Sequence, residues 1–117
     1  MADAPAQSIQ KGLWGGEGVQ LTVTADGATV EYDCGHGGMD EVIAFDTHGR
    51  FELSGWHAQE RGGPVREGTV DQKLAARYVG RVRNDQMTLR VELTDSGTTL
   101  GPFSLERGKR VRLVKCR

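Results

Sequence analysis

The sequence has little proline, with three residues in 117, and no long run of helix-forming residues. Together with seventeen glycines, these absences favour many short strands joined by tight turns. An excess of charge of one sign is also absent, because the formal net charge is −1 at pH 7. A nearly neutral chain has no global electrostatic attraction to nucleic acid or to an anionic membrane.

Long apolar runs are missing as well, and none approaches the roughly 18 residues of a membrane-spanning helix, so we expect no membrane span. The length is typical of one domain with a single core. We expect a disordered lead-in over 1–12, which is small and polar, and one domain over 13–117. The N-terminus lacks the charged start and apolar core of a signal peptide, and we interpret it as a mature N-terminus.

Cysteine occurs only twice, as Cys34 and Cys116, and neither lies in a Cys-x-x-Cys motif typical of redox catalysis or zinc. We interpret the pair as a structural disulfide, with two buried free thiols as the alternative. In the chain-entropy model, a bond that closes so long a loop contributes about 4 to 5 kcal/mol. Because such a bond persists only in an oxidising compartment, we expect a secreted or periplasmic protein.

The clearest pattern present is a three-stranded meander over 76–105. A turn at 84–85 sets Tyr78 opposite Val91, and a second turn follows at 95–97. With these turns, every large apolar residue falls on one face and the opposite face is polar. The apolar face contains Tyr78, Met87, Leu89, Val91, Phe103 and Leu105.

A further hairpin is predicted at 26–27, where Asp-Gly is typical of a two-residue turn. This turn sets Val23 opposite Val30 and leaves alternate residues on a wet face. Cys34 then points inward at the end of the second strand, where a disulfide can fasten the last strand.

Another hairpin is predicted at 46–49, setting Phe45 opposite Phe51. After a long connection over 61–73, which lacks sustained alternation, the meander follows. A last strand over 111–116 is expected to pair with the strand before it.

These segments predict an all-β fold of about eight strands in up-and-down order. Closing such a sheet into a small antiparallel barrel removes its exposed edges, and a two-sheet sandwich is the alternative. The barrel is favoured because a Greek-key sandwich needs several long crossovers and this chain offers one.

Several short strings are distributed over the whole domain after residue 12. They are Trp14-Gly15-Gly16, Val30-Glu31-Tyr32-Asp33-Cys34, Glu60-Arg61-Gly62-Gly63-Pro64 and Lys115-Cys116. In these strings the chain resembles a family of small secreted bacterial proteins without assigned function. The resemblance implies export and a Cys34–Cys116 pairing, but no activity and no catalytic residue. The meander order is similar to lipocalin-like and avidin-like barrels at the level of fold alone.

Candidate binding residues gather around the predicted end of the fourth strand and the end of the second. They are Glu31, Asp33, His36, Trp56, His57 and Glu60. Paired carboxylates two residues apart share a strand face, and an exposed indole is a plausible contact residue. Trp56 and His57 are predicted to lie on opposite faces. Cys34 and His36 supply only two zinc ligands, so we expect neither a metal site nor a cofactor.

We consider two functional hypotheses. The preferred one is a noncatalytic secreted or periplasmic binding module for a small ligand or a protein. The alternative is a small hydrolase in which Glu31, Asp33 or Glu60 acts with His36 or His57. The binding module is preferred because no catalytic motif is recognisable. The basic tail lacks interleaved aromatic residues, so a nucleic-acid partner is not expected.

Overall fold

The computed structural model describes residues 7–8, 11–59 and 73–113. Within these ranges the chain forms strands and no helix. The strands are β1 (Gln7–Ser8), β2 (Gly12–Gly16), β3 (Val19–Val23), β4 (Ala28–Tyr32), β5 (Gly35–Met39), β6 (Ala44–Phe45), β7 (Arg50–Gln59), β8 (Lys73–Arg83), β9 (Gln86–Leu93) and β10 (Thr99–Arg107). No helix of the described part is long and apolar enough to cross a membrane.

Eight of these strands form one closed antiparallel barrel in the order β10-β2-β3-β4-β5-β7-β8-β9. Every neighbour in this ring is also the next barrel strand along the chain, except at the contact of β10 with β2. The predicted up-and-down barrel is therefore confirmed. Of the expected lead-in over 1–12, Gln7–Ser8 pairs with Ala44–Phe45 in a separate two-stranded sheet, and Gly12 begins β2.

The central meander has the predicted register. Tyr78 lies opposite Val91, and Phe103 lies opposite Leu89. Asn84 has a φ of 56°, as a tight turn with left-handed backbone requires. Here the alternation of large apolar and polar residues was sufficient to predict the register. A slip of one residue would have moved the apolar side chains to the solvent face and the polar ones to the core.

The register predicted for β3 and β4 is wrong by two residues. Val23 pairs with Ala28 rather than with Val30. The Thr24 N–H donates to the Gly27 carbonyl at 2.9 Å, so the turn centres on Ala25 and Asp26, one residue earlier than the predicted centre at 26–27. Gly27 itself packs against the backbone at the end of β5 and does not form the apex of the turn. A slip of two preserves the faces, because side chains alternate with a period of two.

The turn at 46–49 is present, but the strand pairing predicted for it is wrong. The Asp46 N–H donates to the Arg50 carbonyl at 3.0 Å, closing the loop. Phe45, however, lies in β6 and pairs with β1, while β7 pairs with β5 and β8. The glycine-rich β5 takes the place beside β7, because its inner-face glycines leave room for side chains of β7 and β8.

The closing strand is β2, not the predicted strand over 111–116. Residues 111–113 form no strand, and 114–117 lie outside the described residues. The barrel closes where β10 meets β2, through pairs that join Glu106 to Gly15 and Arg107 to Trp14. We call this contact the seam.

Gln20 on β3 fastens the residues after β10 to the barrel wall. Its Nε2 donates to the carbonyl oxygens of Trp14 at 2.9 Å and Lys109 at 3.1 Å. Its Oε1 accepts from the Val111 N–H at 2.7 Å. One amide side chain therefore bridges β2 to the segment that follows the last strand.

Tyr78 is the largest fully buried side chain of the core. Its hydroxyl donates to the Trp56 carbonyl at 2.6 Å. A Cβ atom on Gly37 would lie 2.2 Å from this hydroxyl, and one on Gly55 would lie 2.8 Å from the ring. The two glycines therefore form the space that the tyrosine fills.

We expect Leu89→Ala to destabilise the protein by about 2 to 5 kcal/mol, because Leu89 is fully buried and the surrounding barrel cannot close the cavity. Leu93→Ala is the matched control, since Leu93 lies on the same strand but is only partly buried. Urea unfolding of both variants measures the difference. Equal losses for the two variants would contradict the assignment of the inner face.

Candidate functional site

Three of the predicted binding residues meet on the outer face of the barrel. Glu31 of β4 lies opposite His36 of β5. The His36 ring meets the Trp56 ring nearly edge-on, with centroids 5.5 Å apart and an interplanar angle of 82°. The Lys73 Nζ lies 4.4 Å from the Trp56 ring centroid. We call these four residues the outer cluster.

The side chains of the outer cluster contact one another. Lys73 covers a face of the Trp56 indole in a cation–π contact, which is worth about 0.5 to 1 kcal/mol at an exposed site. The indole is half-buried rather than fully exposed. A partner that stacks on this face has to displace the lysine first.

His57 lies on the opposite face of β7 from Trp56, as predicted. It is 2% exposed and is the buried polar residue of the described core. Its ring centroid is 5.4 Å from that of Tyr32, and the Tyr32 centroid is 5.6 Å from that of Phe103. These three rings form a row inside the barrel.

The remaining predicted residues are Asp33, Glu60 and the two cysteines. Asp33 is exposed in the turn between β4 and β5, and Glu60 lies outside the described residues. Cys34 occupies the same turn and is not a free thiol. Its predicted partner, Cys116, also lies outside the described residues, so their pairing stays a prediction.

A pocket of about 200 Å³ opens at the barrel end where β4 turns into β5 and where β10 begins. We call it the end pocket. Its side-chain walls are Tyr32, Cys34, His57, Leu100 and Phe103, and its remaining lining is glycine. A Cβ atom on Gly35 would lie 3.1 Å from the His57 ring, so this glycine provides the space for the imidazole.

The tyrosines of the interior are held in their neutral form. Burial raises the pKa of Tyr32 far above its usual range, and the neighbouring Tyr78 raises it further. Burial also raises the pKa of Tyr78 to about 12, although the Tyr32 hydroxyl and the Gly38 backbone oppose the shift. Both side chains therefore present hydroxyl groups and no charge to the interior at neutral pH.

The end pocket can bind but is poorly equipped for acid–base catalysis. No carboxylate occurs among the described residues that line it. The carboxylate of Glu31 belongs to the outer cluster, on the other side of the wall from His57. Within the described ranges, no group of three or more His, Cys, Asp or Glu side chains could hold a metal ion.

Sequence reasoning placed His57 in the site but missed Tyr32, Leu100 and Phe103. Hairpin parity already put Tyr32 and Phe103 on the inner face. Tyr32 and Phe103 meet at one barrel end because of the observed register of β4 with β3 and because β5 is the other neighbour of β4. The predicted register was wrong, and β5 was not predicted as a strand. The glycine-rich segment that forms β5 has no alternating pattern, so the sequence did not indicate it as a strand.

No protein-family model matches the chain, and the searches of curated proteins and of solved structures likewise found no match.

We expect stability to fall as the pH rises above about 10. An unfolded tyrosine ionises near its ordinary pKa of 10.0, whereas the folded pKa values of Tyr32 and Tyr78 are raised. The unfolded state therefore loses protons first, so the stabilisation is complete below pH 10 and declines above it. Tyrosinate absorbance and circular dichroism, followed together against pH, should change in the same transition.

The Tyr78→Phe variant is the control for this titration. Its remaining tyrosine, Tyr32, should still ionise only as the sheet unfolds. Tyrosinate that appears near pH 10 in protein with an intact sheet signal would show that the interior is open to water.

Proposed function

We propose that this protein is a noncatalytic binding protein that holds a small ligand in the end pocket. The observation that supports the proposal most directly is His57, a polar ring buried in the wall of a pocket otherwise lined by aromatic, aliphatic and glycine residues. Binding sites for small molecules typically combine mostly apolar walls with a few polar groups that orient the ligand.

The size of the end pocket limits its ligand. Its volume of about 200 Å³ is below the roughly 300 to 1,000 Å³ of sites for drug-sized molecules. It equals the space of about seven water molecules, each of which takes about 30 Å³ in the liquid. A single ring with one small substituent is the class of ligand that matches this space.

The walls of the end pocket favour an aromatic ring. Tyr32 and Phe103 are tilted by 40° to one another, and Tyr32 and His57 by 60°. Aromatic pairs prefer such offset or tilted arrangements to flat sandwiches. An imidazole nitrogen can donate or accept a hydrogen bond, so a ligand with a hydroxyl, amine or ring nitrogen suits the wall that contains His57.

The hydrolase alternative has less support from the same geometry. A general acid–base pair must lie within hydrogen-bond reach of one reacting atom. Glu31 and His36 are adjacent, but they lie on the outer wall beside Trp56 and away from the end pocket. His57, in turn, shares its pocket with no described carboxylate.

We also propose that the protein is exported to an oxidising compartment. Support comes from Cys34, which is not a free thiol, and from the wide separation of the two cysteines in the sequence. Thiol titration of protein that is unfolded without reductant tests this proposal. Two reactive thiols would overturn it.

We expect phenol, catechol or indole to raise the thermal midpoint of the wild-type protein in a saturable manner. A ligand that binds only the folded state stabilises it by about 2.7 kcal/mol at a concentration of 100 Kd. Leu100→Phe should remove this effect by filling the end pocket. Leu93→Phe is the matched control, because Leu93 is also partly buried but lies outside the pocket lining.

A second pair of variants tests the polar contact. His57→Phe should weaken phenol binding, whereas His36→Phe on the outer face should not. If none of the three probes shifts the wild-type midpoint, or if Leu100→Phe and Leu93→Phe respond alike, the end pocket is not the binding site.

A further inference from the structure

Two arginines face one another on the outer wall of the barrel. Arg50 of β7 and Arg81 of β8 are direct partners in the register, and both are exposed. Guanidinium groups stay charged at every pH a protein encounters. Like charges directly opposite one another on neighbouring strands are destabilising. This pair therefore opposes the folding of the sheet that contains it.

Neighbouring arginines of the same wall are neutralised, in contrast to this pair. Arg77 contacts the Glu52 carboxylate at 2.5 Å, and Arg90 contacts Glu92 at 3.0 Å. Among the ion pairs of the described residues, none includes Arg50 or Arg81. Within the described part of the chain, Arg50 and Arg81 thus have no ion pair, and neither does Arg83 at the end of β8, whereas Arg77 and Arg90 are paired.

The carboxylate of Asp46 does not complete an ion pair with Arg50. Its Oδ1 accepts from the backbone N–H groups of His48 at 2.8 Å and of Arg50 at 3.0 Å. These backbone donors lower the pKa of Asp46, and the positive charge of Arg50 contributes less. The carboxylate is therefore held by the turn before β7.

The two arginines line a shallow groove of about 700 Å³ on the outside of the barrel. We call it the arginine groove. Val79 and Pro102 are part of its lining, and Thr88 lies opposite Arg81 on the next strand. Arg90 and the carboxylates of Asp46 and Glu52 also line the groove, but Arg90 is paired with Glu92, Glu52 with Arg77, and Asp46 with backbone N–H groups. The guanidinium groups of Arg50 and Arg81 and the Thr88 hydroxyl can all donate hydrogen bonds to oxygen.

We propose that the arginine groove binds a phosphate group, either free or at the end of a small phosphorylated molecule. Each of the two guanidinium groups can donate a pair of N–H···O hydrogen bonds, and a tetrahedral phosphate has enough oxygens to accept from both. Its charge of about −2 matches the two positive charges of Arg50 and Arg81, whereas a carboxylate has one negative charge and two oxygens. Bound phosphate turns the repulsion between Arg50 and Arg81 into shared attraction. The arginine groove is separate from the end pocket, so this proposal does not depend on the first.

Inorganic phosphate is the probe, and Arg81→Gln and Arg50→Gln are the test variants. Arg83→Gln is the matched control, because Arg83 lies on the same strand and the same outer face but outside the groove. Kd is measured by nuclear magnetic resonance titration of the full chain at constant ionic strength, with acetate in parallel. Thermal midpoints are recorded with and without phosphate.

The wild type and Arg83→Gln should bind phosphate with equal Kd, with shifted resonances at Val79 and Thr88. Either groove variant should raise the Kd for phosphate by about tenfold or more, because each removes one guanidinium group that donates two hydrogen bonds. Without phosphate, both groove variants should melt at or above the wild-type temperature, since they remove like-charge repulsion. Loss of binding without loss of stability separates a phosphate site from a structural role.

Two results would overturn the proposal. One is a phosphate response of the same size in Arg81→Gln and Arg83→Gln, which indicates a general salt effect. The other is acetate that binds as well as phosphate at equal ionic strength. Comparison with glycerol phosphate then identifies the source: a lower Kd for the ester indicates a phosphorylated ligand, and an equal or higher Kd indicates free phosphate.

Discussion

The hydrogen bond from the Tyr78 hydroxyl to the Trp56 carbonyl organises the interior of this barrel. It requires a bulky ring to reach across from β8 to β7, and the ring fits only because Gly37 and Gly55 have no side chain. The same bond fixes the backbone of β7 next to His57. Because successive side chains of a strand point to opposite faces, Trp56 is directed outward to Lys73 and His57 inward to Tyr32. The outer cluster and the end pocket thus each receive one of two adjacent residues of β7.

Side-chain parity was predictable from the sequence wherever strands contain large residues. Met87, Leu89 and Val91 alternate with polar or charged residues, and burying them on one face leaves few registers for their strand. Gly12–Gly16 and Gly35–Met39 contain too few side chains for alternation to be visible. Both are barrel strands, and the predicted strand count was right only because two other segments were counted in their place. Glycine in these strands leaves room for the Tyr78 hydroxyl at Gly37 and for backbone carbonyl oxygens at Gly15 and Gly16.

The candidate site also has one part that was predictable from the sequence and one that was not. The opposite directions of Trp56 and His57 follow from the period of a strand, so they were predictable. The row of Tyr32, His57 and Phe103 brings together β4, β7 and β10, which lie far apart in the sequence. Predicting it requires the full order of strands around the barrel. The arginine pair on the outer wall likewise depends on the long pairing of β7 with β8, across residues that include 60–72.

The seam has a consequence for the order in which the molecule can assemble. Seven of the eight strand contacts join strands that follow one another along the barrel, and each can form as its hairpin appears. The contact of β10 with β2 joins the most distant pair and pays the largest loop-closure entropy. Until it forms, β2 and β10 each have an unpaired edge, and the interior behind Trp14 stays wet. Gln20 can bond to Trp14 within the β2–β3 hairpin, but it reaches Lys109 and Val111 only after the ring is complete. Closure is therefore the late, nonlocal step on which the dryness of the whole interior depends.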